Sequence, residues 1–255
     1  MTCTVVILTW NSGRTLQKAL ESVQGLGEII LIDGGSTDDT LSIAREFNAK
    51  VIPQSDDGQS GPVHDFSAVR NRGLAATTGP WILYLDSDEY LSPAALEDIR
   101  KISMTSDPAA YKVARRYVLD DGSLVTHATT YPNERIYFFH RDAITGWERA
   151  VHERVALKSG VPVRHLAGHT CAPLGSVDDF WLRNERYMKL ELEHAPKGWG
   201  PWLKRFLRAI RSQITSTLRL LWIWLIPRSG TRLPLSHEFA RWQYRWKLVG
   251  ASLPR

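Results

Sequence analysis

The sequence predicts an α/β protein, with a mostly parallel sheet covered by helices and an amphipathic helical appendage at its C-terminal end. Three observations support this prediction. Short apolar runs alternate with amphipathic segments over residues 4–104, which is typical of parallel strands joined by helices. Two of these runs stop on an aspartate. Residues 196–255 form a separate segment that is basic, rich in tryptophan and apolar at helical spacing.

The elements follow in order along the chain. Apolar runs of four to six residues predict strands, and the longer amphipathic segments between them predict helices. The predicted strands are 4–9, 28–33, 50–53 and 81–86, and the predicted helices are 13–24, 38–47, 63–76 and 93–104. Ser92 and Pro93 suit the N-cap and first residue of the last helix. Beyond them, strand-like runs cover 111–119, 135–140, 151–156 and 161–166.

Composition is that of an ordinary globular protein. The 255 residues are 43% hydrophobic and 23% charged, which allows a large core and excludes a disordered chain. The two cysteines, Cys3 and Cys171, are too few for a disulfide framework or a cysteine zinc site. Strand-like sequence begins within a few residues of Met1, without a basic and apolar leader, so we expect a cytoplasmic location.

The run Trp-Ile-Leu-Tyr-Leu-Asp-Ser-Asp at residues 81–88 is the most informative stretch. Its apolar part fits a buried parallel strand, after which Asp86 and Asp88 follow at the strand end. Open α/β sheets bind ligands at the carboxyl ends of their strands, and two carboxylates there can hold Mg²⁺ or Mn²⁺ against a diphosphate. The Asp-Ser-Asp sequence at 86–88, called the triplet below, also suits a turn or a helix N-cap.

A second strand ends in the same way. Residues 28–33 stop at Asp33, and Gly34 and Gly35 follow, which allow close backbone approach or positive φ. Because parallel strands end at one edge of the sheet, Asp33 and Asp86 are predicted to lie near each other. This edge is the candidate site.

Four segments, taken in their order along the chain, resemble those of family 2 glycosyltransferases with the Rossmann-like GT-A fold. They are Val-Val-Ile-Leu-Thr-Trp-Asn at 5–11, Ile-Asp-Gly-Gly-Ser-Thr-Asp at 32–38, Ala-Val-Arg-Asn-Arg-Gly-Leu at 68–74 and Leu-Asp-Ser-Asp-Glu at 85–89. Within the family, the chain is most similar to the bacterial lipopolysaccharide-core β-glucosyltransferase group. That likeness rests on residues 152–153, 169, 177–180 and 184–187.

The resemblance implies a nucleotide-sugar donor site in residues 1–110 and an acceptor-facing half of the same domain in 111–175. Thr9 and Asn11 line the nucleoside, and Asp33 hydrogen-bonds its base. Arg70 suits bidentate pairing with a phosphate or a carboxylate, although an arginine on a helix is often a solvated surface residue. Asp86 lies on the ribose and metal side.

The resemblance also implies a metal ion and a base. Asp88 is the main ligand of Mg²⁺ or Mn²⁺, with Asp86, and His169 either completes the ligand set or touches the diphosphate. Family 2 enzymes invert the anomeric centre, which requires a carboxylate that takes a proton from the acceptor. Glu153 is the first choice for this base, with His152 orienting the acceptor or phosphate.

Two other assignments remain open for this step. Without the resemblance, the sequence favours Glu153 as a surface strand residue paired with Arg154 or Arg149. Glu89, next to the aspartate triplet, is the alternative base.

Residues 176–255 are predicted as a helical, basic, tryptophan-rich membrane-association region. Residues 196–255 carry 12 lysines and arginines and one acid, a net charge of +11, whereas the first 195 residues carry 20 bases and 26 acids, a net charge of −6. An apolar stripe recurs every three or four residues at Leu203, Leu207, Ile210, Ile214, Leu218, Leu221 and Leu225. This pattern favours a helix lying in an anionic membrane surface. Packing of the stripe inside the protein is the alternative, and no recognition motif supports nucleic-acid binding.

The sequence therefore predicts a metal-dependent inverting hexosyltransferase. It takes a nucleotide-diphosphate sugar and a saccharide or lipid-linked acceptor, in bacterial cell-envelope glycan synthesis at the inner face of the cytoplasmic membrane. A polyprenyl-phosphate glycosyltransferase is the alternative. A sugar-phosphate nucleotidyltransferase and a catalytically silent membrane-binding scaffold are rivals from other classes. A nucleotidyltransferase should carry a glycine-rich basic loop after the first strand, where residues 10–14 hold one glycine.

Overall fold

A computed structural model describes residues 3–56, 58, 60–226 and 229–254 of the chain. Its strands are β1 (Cys3–Thr9), β2 (Ile29–Asp33), β3 (Lys50–Pro53), β4 (Trp81–Asp86), β5 (Tyr90–Leu91), β6 (Ala110–Val118), β7 (Val125–His127), β8 (Glu134–His140), β9 (Ile144–Glu148), β10 (Arg154–Leu157), β11 (Val163–Pro173) and β12 (Thr231–Arg232). Its α-helices are α1 (Leu16–Glu21), α2 (Thr40–Glu46), α3 (Phe66–Ala76), α4 (Pro93–Ile102), α5 (Val177–His194), α6 (Trp199–Leu225) and α7 (Leu235–Ala251).

The chain forms two compact units. The sheet unit comprises the residues up to Arg116 together with Asn133–Ala172, and the helical unit comprises Tyr117–Pro132 together with Pro173–Arg255.

The principal sheet has eight strands in the order β3-β2-β1-β4-β8-β6-β11-β5. β1 pairs in parallel with both β2 and β4, and β2 pairs in parallel with β3. The sheet continues through β8, which is antiparallel to both β4 and β6. The register sets Thr9 opposite Asp33 and Leu8 opposite Asp86, so the two aspartates flank the end of β1. The α/β fold class is confirmed.

The core of the sheet unit lies on the parallel strands. Val6, Ile7, Ile32 and Leu83 are buried within it, as predicted for strands covered on both faces. On α3, a Cβ added at Gly73 would come within 2.5 Å of Ile32 and 2.7 Å of Val6. Glycine therefore lets α3 approach β1 and β2 closely, and α3 carries Arg70 toward the sheet edge.

Several predicted elements are shorter in the structure, and two of them start late for a local backbone reason. The first helix begins at Leu16 rather than at 13, because Asn11 adopts a left-handed φ of 49° and the backbone N–H of Gly13 donates to Asp38. The strand predicted at 151–156 begins at Arg154, because His152 has a left-handed φ of 55° that interrupts extended backbone. β10 pairs in antiparallel fashion with β9, a strand that is not among the predicted elements.

The helical unit contains α5, α6 and α7. α5 begins with a capping box, in which Ser176 and Asp179 satisfy each other's backbone N–H groups. Glu238 of α7 is buried and accepts hydrogen bonds from the backbone N–H and the hydroxyl of Thr129. The predicted C-terminal helical part is thus present. Within the described residues, no helix combines the length and apolar character needed to cross a bilayer.

Candidate active site

The end of β2 organises the first loop of the sheet edge. Asp33 is buried, and its Oδ1 accepts from the hydroxyls of Thr9 (3.0 Å) and Ser36 (2.5 Å). Its Oδ2 accepts from the backbone N–H groups of Gly35 (2.9 Å) and Ser36 (2.8 Å). Four hydrogen bonds fill the acceptor capacity of a carboxylate. Asp33 therefore holds the loop in shape.

A second layer of contacts joins this loop to the aspartate triplet. Asn11 is exposed, its backbone N–H donates to Ser36, and its side-chain oxygen accepts from the backbone N–H of Thr37 at 2.8 Å. The hydroxyls of Ser12 and Ser87 lie 2.9 Å apart. Ser87 is the middle residue of the triplet, so the loops after β1, β2 and β4 form one continuous edge.

Asp86 is held by two arginines. Nη2 of Arg70 lies 3.2 Å from its Oδ1, and Nη1 of Arg135 lies 2.8 Å from its Oδ2. Burial alone would raise the pKa of Asp86, but Arg135 and Arg70 hold that pKa well below its usual range. Asp86 is thus a carboxylate throughout the physiological pH range.

Arg70 is the centre of the arrangement. Only 3% of its side chain is exposed, and its Nε and Nη2 both lie 2.9 Å from Oε1 of Glu153. Nη2 also donates to the Tyr137 hydroxyl at 2.8 Å. The ring of Trp147 lies 4.9 Å from the guanidinium carbon, which adds a cation–π contact. One buried side chain therefore joins Asp86 to Glu153.

The titration of this cluster follows from its burial and its charges. Burial opposes the charge on Arg70, yet Tyr137, Asp86 and Glu153 raise its pKa above the usual arginine value. Burial raises the pKa of the Tyr137 hydroxyl well above its usual value, so it stays protonated at neutral pH. The cluster is therefore a fixed set of charges, as a positioning network requires.

Glu89 lies deeper than the triplet that precedes it. Its side chain has no exposed surface, and its Oε1 pairs with Arg115 and with Arg135, the latter at 2.5 Å. An acceptor hydroxyl has no access to a carboxylate in this position, which counts against Glu89 as the base.

Glu153 and His152 lie in the bend that joins β9 to β10. Glu153 is partly buried against Arg70, whereas His152 is exposed. The alternative interpretation, a surface Glu153 paired with Arg149 or Arg154, does not describe this contact. Arg154 pairs with Glu148 instead. Glu153 therefore belongs to the sheet edge.

A family model described as glycosyl transferase family 2 matches residues 4–154, more than half of the chain. The chain belongs to this family. The matched segment contains every residue of the network just described, from Thr9 to Glu153.

Two relatives and one solved structure illustrate the likeness. A TPR repeat-containing protein of Synechococcus elongatus is 39% identical over 39% of this chain and 24% of its own length. An uncharacterized glycosyltransferase of Nostoc sp. is 32% identical over 42% of this chain and 34% of its own. The alignments thus span about a third of these relatives or less. Glucosyl-3-phosphoglycerate synthase from Mycobacterium tuberculosis, solved with Mn²⁺, uridine diphosphate and glucosyl-3-phosphoglycerate, is 19% identical with a TM-score of 0.47, covering 75% of this chain and 79% of that one.

The donor set of this family 2 member fits a divalent cation. Within the described residues, Asp86, Asp88 and Glu89 offer carboxylate oxygens that lie within 4.8 Å of one another, close to the span of opposite ligands on one ion. Oε2 of Glu89 is buried and has no hydrogen-bond partner among those residues, so a cation would satisfy it. Asp88, predicted as the main ligand, supplies one of these three oxygens, and its ranking above the other two stays a prediction.

His169 is the predicted ligand that the structure does not bring into this group. It lies on β11, where its backbone N–H donates to Ser92, and it is absent from the cluster of ligand atoms found in the described part of the chain. Burial, followed by the charge of Arg116, lowers the pKa of its imidazole. Its role as a ligand stays a prediction.

Sequence reasoning missed Arg135, Tyr137 and Arg115. The signal for the first two was the alternation in residues 135–140, which puts Arg135 and Tyr137 on the same face of a strand. Nothing in that pattern indicates which face meets Asp86, because this depends on the antiparallel pairing of β8 with β4.

Proposed function

We propose that this family 2 member is an inverting glycosyltransferase. It moves a hexose from a nucleotide-diphosphate sugar to a saccharide or lipid-linked acceptor of the bacterial cell envelope, such as the lipopolysaccharide core. A polyprenyl phosphate is the alternative acceptor. One observation carries the proposal: Arg70 bridges Asp86, in the triplet at the sheet edge, and Glu153.

The donor lies across the carboxyl ends of β1, β2 and β4. The first loop lines the nucleoside, with Asn11 exposed there and with Thr9 and Asp33 fixing the shape of the loop. A nucleobase that approached Asp33 would compete with the four hydrogen bonds that its carboxylate already accepts. We therefore assign Asp33 mainly the role of fixing the shape of the loop. Asp86, fixed by Arg70 and Arg135, lies on the ribose side.

Glu153 takes the proton from the acceptor. The acceptor oxygen forms a bond to the anomeric carbon while the bond from that carbon to the diphosphate oxygen breaks, which inverts the centre. The proton of the acceptor hydroxyl passes to Oε2 of Glu153, because Arg70 contacts Oε1. His152, exposed beside Glu153, orients the acceptor.

Asp88 and Asp86 hold the divalent cation, Mg²⁺ or Mn²⁺, with Glu89 beneath them. When bound, the ion neutralises negative charge on the departing diphosphate. The carboxylate oxygens of Asp86, Asp88 and Glu89 lie within 4.8 Å of one another, and this concentration of acidic groups supports a cation at the edge.

Arg70 is a positioning residue in this proposal. A guanidinium with two carboxylate partners keeps Glu153 at a fixed distance from the donor side, and holding reacting groups in place removes much of the entropic barrier to reaction. Burial of the pair in aromatic surroundings excludes water that would loosen it.

A panel of nucleotide sugars tests the proposal against its rivals. Each is incubated with the protein and Mn²⁺, and release of nucleoside diphosphate is followed with and without a chelator. Slow hydrolysis that yields the diphosphate and needs the metal supports a glycosyltransferase. A sugar-phosphate nucleotidyltransferase would release no nucleoside diphosphate, and on addition of pyrophosphate it would form a nucleoside triphosphate and a sugar 1-phosphate. A silent scaffold would release nothing under either condition.

A further inference from the structure

The long helix α6 has two apolar faces, and one of them already has a partner. Toward the inside of the helical unit, the Trp202 indole N–H donates to the carbonyl of Val249 at 3.1 Å, and Phe206 packs against Trp202 and Trp246. Ala209 and Ile223 are buried on the same side. These contacts tie α6 to α7 within the unit, so packing of the unit does not require the second face.

The second face, which we call the outer stripe, consists of Leu203, Leu207, Ile214, Leu218, Leu221 and Leu225. Their side chains are 49% to 73% exposed. At 3.6 residues per turn they fall within about 60° of arc, a narrow and continuous line along the helix. A solvent-exposed apolar line over six turns is costly in water, and it marks an interaction surface.

Basic side chains border the outer stripe on one side. Lys204, Arg208 and Arg211 are exposed next to it, and none of them forms an ion pair with a side chain in the described ranges. The terminal region that contains them, residues 196–255, carries a net charge of +11. Trp199 and Trp222, at the two ends of the helix, are 66% and 56% exposed. Exposed indole rings suit the level of lipid headgroups.

We infer that the outer stripe of α6 is a docking surface for an anionic lipid bilayer, in which α6 lies in the plane of the interface. Apolar side chains enter the acyl boundary, and Lys204, Arg208 and Arg211 meet lipid phosphates. The charge of the region selects this occupant. A second copy of the chain would bring two strongly basic surfaces together, which repel each other.

Vesicle co-sedimentation of the full chain tests this inference without any sugar transfer. The probes are phosphatidylcholine vesicles and vesicles that also contain phosphatidylglycerol. We expect binding to the anionic vesicles and at least ~10-fold weaker binding to the neutral ones, since each basic residue near an anionic surface contributes roughly fivefold. Failure to bind anionic vesicles overturns the inference and leaves the proposed transfer chemistry untouched, because nucleotide-sugar hydrolysis is measured separately.

A matched pair of variants separates insertion from simple charge attraction. Leu218→Gln combined with Leu225→Gln alters two stripe positions that are 61% and 73% exposed. Met104→Gln combined with Leu182→Gln alters two comparably exposed positions elsewhere, at 74% and 75%. The first pair should weaken binding at least ~10-fold and the control pair less than about twofold. Equal effects of both pairs, or full binding by the stripe variant, would exclude insertion of α6.

Two further measurements address the basic side chains beside the outer stripe and the oligomeric state of the protein. Lys204→Gln, Arg208→Gln and Arg211→Gln together should weaken binding to anionic vesicles and reduce the preference for them over neutral vesicles, while raised salt should weaken wild-type binding without abolishing it. Circular dichroism verifies that each variant is folded. A wild-type dimer that ignores vesicles and becomes monomeric when Leu218 and Leu225 are replaced would show a second copy on the stripe, and would overturn the proposal.

Discussion

The carboxyl edge of the parallel strands and the outer stripe of α6 use charge in opposite ways. At the edge, Asp86 and Glu153 are paired with the buried Arg70, so each charge has a fixed partner. On α6, Lys204 and Arg208 are exposed beside apolar side chains. Fixed pairs suit the positioning of reacting groups, whereas exposed cations beside an apolar line suit an extended anionic surface.

Because the two regions hold their charges differently, we expect their functions to be lost independently on mutation. Variants of the edge should change turnover and leave vesicle binding intact, and variants of the stripe should do the reverse. A single variant that changed both turnover and vesicle binding would show that the two regions are coupled.

The largest effect is expected from Asp88→Asn. It removes an anionic oxygen while keeping the side-chain shape, so turnover with Mn²⁺ should fall by about 10² to 10³-fold, as when one preorganised electrostatic contact is lost. Donor binding should weaken only when metal is present. Steady-state kinetics and calorimetric titration measure the two effects.

The matched control is Asp107→Asn, an exposed aspartate after α4, which should retain wild-type turnover. An Asp88→Asn enzyme with normal turnover, or a wild type that works equally well in chelator, would show that the triplet holds no catalytic metal.

Arg70→Lys should have the next largest effect. A lysine ammonium cannot reproduce the planar fork that reaches both Asp86 and Glu153, so kcat should fall by about 10 to 10²-fold while KM for the donor stays within about threefold. Steady-state kinetics separate the two constants.

Arg72→Lys, on the same helix, is the control, because its ion pair with the exposed Asp56 is a surface contact. A merely structural role for Arg70 would lower the melting temperature without this split between kcat and KM, and would refute its positioning role.

The smallest effect concerns acid stability. Arg135 and Arg70 hold the pKa of Asp86 below its ordinary value of 3.8, against the opposing effect of burial. The folded state therefore gains stability above about pH 4 that is lost as pH falls through the lowered pKa. Each kcal/mol of this stability corresponds to about 2–4 °C in melting temperature for a chain of this size. The melting temperature of Asp86→Asn should therefore fall less steeply than that of the wild type between pH 5 and 3. An unchanged slope in thermal scans would show that Asp86 is not stabilised as a carboxylate.

Much of the sheet edge was predictable from sequence, because strand ends in a parallel sheet meet at one edge. Asp33 and Asp86 needed only that rule to be placed near each other. Arg135 and Arg115 could not be placed, because their approach to Asp86 and Glu89 depends on how β6 and β8 add to the sheet in antiparallel fashion. That pairing joins residues distant in sequence, and no local pattern encodes it.

In the helical unit, the exposed face was predictable from sequence and the inward packing was not. Its composition predicted a basic amphipathic helix, and the outer stripe was visible in the spacing of its leucines. The spacing could not show which apolar residues pack inward, because that is settled by α7: Trp202 and Phe206 face it, whereas Leu203 and Leu207 are exposed.

The most direct test of the central claim, that Glu153 is the base at a donor site on the sheet edge, is Glu153→Gln. The amide keeps the size of the side chain and an oxygen for Arg70, but it cannot take a proton at neutral pH. Turnover should fall by at least about 10²-fold with donor affinity nearly unchanged in calorimetric titration with Mn²⁺. Glu148→Gln, at an exposed glutamate of β9, should behave as wild type. A Glu153→Gln enzyme that turns over within threefold of wild type would contradict the account.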